Sequence, residues 1–156
     1  MRKHLKALIF ILITQAAGII GSLFTLNSIE SWYAGLVKPV FTPPNWLFGP
    51  VWITLYTLLG ISIFLIWEKR DDVPEAKKAI KWFFAHLVLN AIWTPLFFGA
   101  QLVLVALLVL ISILITGVYV LIKFYRIKKI AGYLLIPYIA WIIVALYLNS
   151  GIYILN

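Results

Sequence analysis

The chain has 156 residues, 64% of them apolar or aromatic and only 12% charged, with a mean hydropathy of +1.05 and a formal net charge of +8. A soluble domain runs nearer to about 45–50% apolar and about 25% charged, so a soluble globular domain is excluded, and so is a disordered chain. At roughly 20 apolar residues per membrane-spanning helix, the composition has room for five spans and none for a separate soluble catalytic domain.

The expected spans cover about residues 5–26, 46–67, 80–98, 102–122 and 131–155. Strand alternation is absent, so a β-barrel is not supported. The expected fold is an all-α integral membrane protein, a five-helix transmembrane bundle forming one domain over residues 1–156. The first span follows Arg2, Lys3 and Lys6, which look like the start of a cleaved leader, with Gln15-Ala16-Ala17 as a faint cleavage signal. The apolar run continues to Leu26, too long for a leader's core, so a retained helix is expected. Thr14, Gly18 and Ser22 recur at i, i+4 and i+8 with Ala17 and Gly21 beside them. Such a face of small residues suits close packing inside a bundle or a homodimer contact.

The longest connection, residues 27–45, holds Trp32, Tyr33, Pro39, Phe41, Pro43 and Pro44. Rings of this kind favour the membrane interface, and the segment is suited to fold back over the helix ends as a lid. The Pro43-Pro44 pair forbids a continuous helix, and Asn45 is expected to cap the second span. In that span Trp52 and Tyr56 share a face at i, i+4. The third carries His86, Asn90, Trp93 and Phe97 at i, i+4, i+7 and i+11, again one face. The third and fourth spans are nearly continuous in sequence, which makes them antiparallel neighbours. In the fourth only Ser112, Thr116 and Tyr119 are polar, on one narrow stripe, so most of it faces lipid. The fifth repeats the third's pattern with Tyr138, Trp141, Ala145 and Asn149. Asn90 and Asn149 are costly in lipid, so their faces turn inward and bring the neighbouring rings with them. Together with Trp46, these rings are expected either to pack a bundle core or to line a pocket for a flat, mostly apolar ligand.

Twelve of the thirteen Lys and Arg residues fall at the N-terminus or in the second and fourth connections, and only Lys38 falls on the other side. The positive-inside rule then places the N-terminus in the cytoplasm and the C-terminus outside. This basic patch reads as a topology signal with anionic headgroup contact, not as a nucleic-acid site. The chain has no cysteine, which excludes disulfides, thiolate metal sites and a Cys nucleophile. Every acidic residue lies outside the spans, which argues against a proton-driven pump and against paired-carboxylate catalysis. His86 alone cannot make a protein-only metal site. It is a candidate axial ligand to a haem, or a hydrogen-bonding group towards a neighbouring helix.

The stretch Trp32-Tyr33, Leu36, Lys38-Pro39, Pro43-Pro44, Trp46, Phe48-Gly49-Pro50-Val51-Trp52, Leu55-Tyr56 resembles the TspO/MBR family of tryptophan-rich sensory and translocator proteins. Leu89-Asn90, Trp93 and Leu96-Phe97-Phe98 match its third helix, and Pro137-Tyr138, Trp141, Ala145, Leu148-Asn149 and Leu155-Asn156 its fifth. The resemblance implies a five-helix membrane protein, commonly dimeric. It also implies a pocket beneath the first loop that binds porphyrins, haem-type tetrapyrroles, sterols or synthetic ligands. Carried over by position, Trp52 and Trp141 are the pocket indoles, Asn90 a polar contact and Ala145 a small residue of the wall. Some members are reported to promote light- and oxygen-dependent porphyrin breakdown involving those indoles. Phe41 stands where many members have Trp, and His86 where many have Gln. The family's C-terminal sterol motif is incomplete here, which counts against sterol binding; Leu121, Tyr125 and Lys128 fit only a loose sterol consensus.

The expected function is that of a cell-membrane receptor or sensor for porphyrins, needing no cofactor for its own activity. Light-driven porphyrin breakdown and transport of porphyrin or lipid are the alternatives. The expected ligand-binding residues are Trp32, Trp46, Trp52, Tyr56, His86, Asn90, Trp93, Phe97, Tyr138, Trp141, Ala145 and Asn149.

Overall fold

A bilayer offers no partner for backbone N–H and C=O groups, and a helix satisfies them within one segment. The computed structural model describes residues 3–156; Arg2, counted among the N-terminal cations above, lies outside the described residues. The helices are α1 (Lys3–Ser28), α2 (Asn45–Trp67), α3 (Pro74–Thr94), α4 (Val103–Ile127), the short α5 (Lys129–Tyr133) and α6 (Ile136–Leu155). A 3-10 turn, Tyr33–Gly35, interrupts the first loop, and a π-helical turn, Pro95–Gly99, extends α3. Five helical segments are long and apolar enough to cross a membrane, with α3 plus its π turn as the third and α5 plus α6 as the fifth.

Several boundaries differ from the apolar runs. Helix α3 begins at Pro74 and α4 ends at Ile127, so Lys77, Lys78, Lys81, Lys123 and Arg126 are helical rather than in connections. Lys and Arg are good helix formers and carry their charges outwards on long stems, so hydropathy falls before the helix does. The fifth span breaks between Tyr133 and Ile136 because Pro137, in the first turn of α6, lacks the N–H that would continue the ladder. Asn45 does not cap α2: it is the first helical residue, Pro44 occupies the cap position, and no side chain caps the helix.

The outer helices α1 and α4 each bury one stripe, whereas α2 buries Ser62, Ile63 and Phe64 in succession. On α1 the stripe is Phe10, Thr14, Ala17 and Gly21, and on α4 it is Ala106, Leu110, Ile113, Gly117, Val120 and Phe124, so most of α4 is left for lipid. Helices α3 and α4 are packed neighbours, as their short connection requires. At the end carrying the basic residues the core is solid. Leu59, Ile63, Ile66, Phe83 and Phe124 are fully buried there, with Phe83 and Phe124 stacked at 5.7 Å. Helices α1 and α2 are locked together at mid-height. A Cβ on Gly60 would lie 2.5 Å from Ile11 Cα, and Thr14 Oγ1 donates to the Tyr56 carbonyl at 2.7 Å. Between that seam and the first loop the helices border a partly open chamber.

Candidate functional site

The chamber has a volume of about 580 Å³ and lies between α1, α2, α3 and α6, with Leu110 and Ile113 of α4 behind it and Tyr33 of the first loop also in its lining. That falls in the range of about 300–1,000 Å³ typical of small-molecule sites. Its character follows from which residues face it.

Helix α2 contributes Trp46, Phe48, Trp52 and Tyr56. Trp52 stacks on Tyr56 with centroids 5.4 Å apart, and the Tyr56 ring fits only because Gly18 of α1 has no side chain: a Cβ there would come within 2.8 Å of it. Helix α3 contributes Asn90, Trp93 and, through its π turn, Phe97. The π turn closes with Ala100 N–H donating to the Pro95 carbonyl at 2.8 Å, and it turns the adjacent Phe97 and Phe98 both inward. Trp93 stacks on Phe97 at 5.4 Å. Helix α6 contributes Trp141, Ala145 and Asn149; Trp141 meets the edge of Phe48 at 5.8 Å.

The polar groups divide into committed and free. Trp93 Nε1 donates to Asn149 Oδ1 at 3.2 Å, and Asn149 Nδ2 donates to the Val103 carbonyl at 3.0 Å. Gln15, on α1, donates to the Ile53 carbonyl at 2.8 Å and to Thr57 Oγ1 at 3.0 Å. Among the described residues, the indole N–H groups of Trp52 and Trp141 find no protein acceptor, although both rings line the chamber. Both rings are half-buried, and their N–H groups remain accessible from the chamber. Among the described residues, no carboxylate and no ammonium lines the chamber. The wall therefore offers broad stacking faces and several unspent donors, the Trp52 and Trp141 indoles and the Tyr56 hydroxyl among them.

Of the expected site residues, Trp46, Trp52, Tyr56, Asn90, Trp93, Phe97, Trp141, Ala145 and Asn149 line this one chamber. Trp46 does so from the rim, being 72% exposed. Three lie elsewhere. Trp32 packs edge-on against Phe97 at 5.4 Å, outside the lining. His86 and Tyr138 sit behind the wall, hydrogen-bonded to each other at 2.7 Å and joined to the chamber through Asn90. The rule of one shared helical face brought these two in, but a stripe on a helix passes from chamber to core along its length.

The α1 wall was missed. Gly18, Gly21, Ser22 and Thr25 line the chamber, whereas the small-residue face reads in sequence as close packing inside the bundle or a homodimer contact. Chamber lining and packing inside the bundle are both present, because a Cβ on Gly21 would come within 3.0 Å of Thr94 Oγ1 on α3. Gln15, a polar residue deep in an apolar span, was the available signal that this face meets something other than lipid.

A latch holds the loop over this end of the bundle. Val37 N–H donates to Asn156 Oδ1 and Asn156 Nδ2 to the Val37 carbonyl, both at 2.9 Å. Pro39 fills the space that Gly151 leaves on α6. Lys38 Nζ lies 4.7 Å over the Tyr33 ring, and burial raises the Tyr33 phenol above its ordinary pKa.

The chain matches the family model described as the TspO/MBR family over residues 10–155. It is 45% identical over 152 residues to the "Tryptophan-rich protein TspO" of Archaeoglobus fulgidus, covering 97% of each chain. To the human "Translocator protein" it is 36% identical over 131 residues, covering 83% of this chain and 78% of that one. To the "Tryptophan-rich sensory protein" of Cereibacter sphaeroides it is 28% identical over 141 residues, covering 90% of this chain and 87% of the other. The chain belongs to the TspO/MBR family and is a multi-pass integral membrane protein.

Proposed function

We propose, with membership of the TspO/MBR family as the premise, that this protein is a membrane receptor that binds porphyrins or related flat tetrapyrroles in the chamber. The observation that carries the reading is the pairing of stacking faces with unspent donors. Trp52 and Trp141 line a cavity of about 580 Å³, and among the described residues neither N–H has a protein partner. A flat macrocycle with acceptor groups at its edge uses both features.

The test is a titration of the purified protein with protoporphyrin, followed by tryptophan fluorescence. Bound porphyrin in contact with the rings should quench their emission. The double variant Trp52→Phe, Trp141→Phe keeps the stacking but removes both donors. At about 0.5–1.5 kcal/mol per hydrogen bond, losing two should weaken binding by roughly five- to 150-fold. Unchanged affinity and quenching in the double variant would put the ligand elsewhere.

The position of those indoles favours one second reading, light- and oxygen-dependent breakdown of the bound porphyrin. Illuminating the complex in air and following its absorbance separates the two. A receptor leaves the porphyrin spectrum decaying at the rate of free porphyrin. A breakdown activity accelerates the decay and loses that acceleration in the double variant.

A further inference from the structure

Behind the chamber wall lies a buried imidazole that the receptor reading leaves without a task. His86, on α3, is 2% exposed. Its Nδ1 is 2.7 Å from Thr116 Oγ1 on α4, and its Nε2 is 2.7 Å from the Tyr138 hydroxyl on α6. Each hydroxyl has an acceptor further out: Thr116 Oγ1 lies 2.8 Å from the Ser112 carbonyl, and the Tyr138 hydroxyl 2.9 Å from Asn90 Oδ1. Asn90 Nδ2 donates to the His86 carbonyl at 3.0 Å, and Asn90 faces the chamber.

The protons can be counted. A neutral imidazole has one N–H and one bare nitrogen, and each hydroxyl has one proton. If Nδ1 is bare, the Thr116 hydroxyl turns its proton inward and leaves the Ser112 carbonyl. If Nε2 is bare, it accepts from Asn90 Nδ2 at 3.2 Å or from the Tyr138 hydroxyl, which then leaves Asn90 Oδ1. An imidazolium donates from both nitrogens, so both hydroxyls donate outward and the whole chain of contacts runs in one direction, ending at Asn90.

The imidazolium would have no resident counter-ion. Thr116 and Gly117 face His86 from α4, Tyr138 from α6 and Asn90 from its own helix, with Tyr56 of α2 beside Tyr138. The only titratable groups among these are the two phenols. The acidic residues Glu30, Glu68, Asp71, Asp72 and Glu75 all sit in the first loop or around the turn from α2 to α3. The place left for an anion is the chamber side of Asn90, whose Nδ2 lies 3.2 Å from His86 Nε2 and can donate to it only while that nitrogen is bare, so that protonation there frees one N–H.

From this juxtaposition we propose that His86 is the proton carrier of the chamber: a flat ligand bearing a carboxylate is taken up beside Asn90 together with one proton, which resides on His86. An acid arriving from the bilayer in its neutral form gives its proton to the imidazole and stays as the carboxylate. An anion arriving from water brings one proton from solvent with it. By either route one positive and one negative charge are added, and the chamber remains neutral overall. His86 is here a positioning residue, acting on the ligand through Tyr138 and Asn90. The proposal rests on the porphyrin reading and narrows it to ligands with a free acid group.

The experiment compares protoporphyrin, a diacid, with its dimethyl ester, using the protein in lipid nanodiscs between about pH 6.5 and 8.5, above the carboxylate range. Affinity for the diacid should rise about tenfold per pH unit as the pH falls, the slope of one bound proton. Affinity for the ester should be flat, which controls for protonation of the shared ring. In weakly buffered solution a pH indicator should register about one proton taken up per diacid bound and none per ester. His86→Gln keeps one donor and one acceptor but cannot ionise. It should bind the ester like the parent, which also shows that the chamber is intact, and lose the pH slope for the diacid. If both probes bind the parent without slope or proton uptake, or if His86→Gln keeps the slope, this inference alone is overturned. If neither probe binds the parent, the receptor reading falls and takes this inference with it.

Discussion

Ala145→Leu separates a ligand chamber from a packed core most directly. Ala145 is 9% exposed, lies on the stripe between Trp141 and Asn149, and lines the cavity. Leu adds three carbon atoms. Were this face packed against another helix, the added volume would cost about 1–3 kcal/mol. For a chain of this size each kcal/mol lowers Tm by about 2–4 °C. Facing about 580 Å³ of chamber instead, the new atoms enter the cavity and Tm of the ligand-free protein should stay within a few degrees of the parent. They then take space that ligand atoms would fill. Displacing contacts equivalent to three buried carbons, at about 0.8 kcal/mol each, loses about 2–2.5 kcal/mol of binding. That corresponds to roughly a thirty- to seventyfold weaker affinity for protoporphyrin. The assay pairs a thermal melt of the ligand-free protein with a fluorescence titration. A large drop in Tm with affinity unchanged would mean that Ala145 is core and that the ligand lies elsewhere.

Gly60→Ala places a Cβ about 2.5 Å from the Ile11 backbone and should cost about 1–3 kcal/mol of stability; Gly35→Ala meets nothing within 4 Å and should melt like the parent, and equal melts for the two would refute the α1–α2 seam. Asn156→Ala removes both hydrogen bonds to Val37, so amide exchange at Val37 should speed up by at least about tenfold while the helical amides stay protected; unchanged protection would show that Pro39 against Gly151 holds the loop alone. A reporter fused after Asn156 should read as outside the cytoplasm, because twelve of the thirteen basic residues precede the first span or cluster around the second and fourth connections in the sequence; a cytoplasmic signal would reverse the orientation.

Much of this protein was legible without coordinates, for identifiable reasons. The number of spans follows from apolar length, because bilayer thickness sets one helix length for all of them. The inward faces of α3 and α6 follow from Asn90 and Asn149, because an amide in lipid has no partner and must turn towards protein. Side chains four residues apart necessarily share a face, which brought Trp52 and Tyr56, and Trp93 and Phe97, into the right company. The helix ends were less legible. Hydropathy stops at Lys77 and Lys123 while the backbone ladder continues through them, and the break before α6 depends on one missing N–H at Pro137. Only the tertiary structure decided which part of each inward face meets a cavity and which meets a neighbour. Asn90 and His86 are one turn apart on the same stripe, yet one reaches the chamber and the other is enclosed by Thr116 and Tyr138. The same holds for α1, where Gly18 is at once the room for the Tyr56 ring and part of the chamber wall. Periodicity gives the direction in which a side chain leaves its helix. What it meets there depends on how far away the facing helix lies, and that distance is set by pairs of residues remote in sequence, such as Ile11 with Gly60 and Gly21 with Thr94.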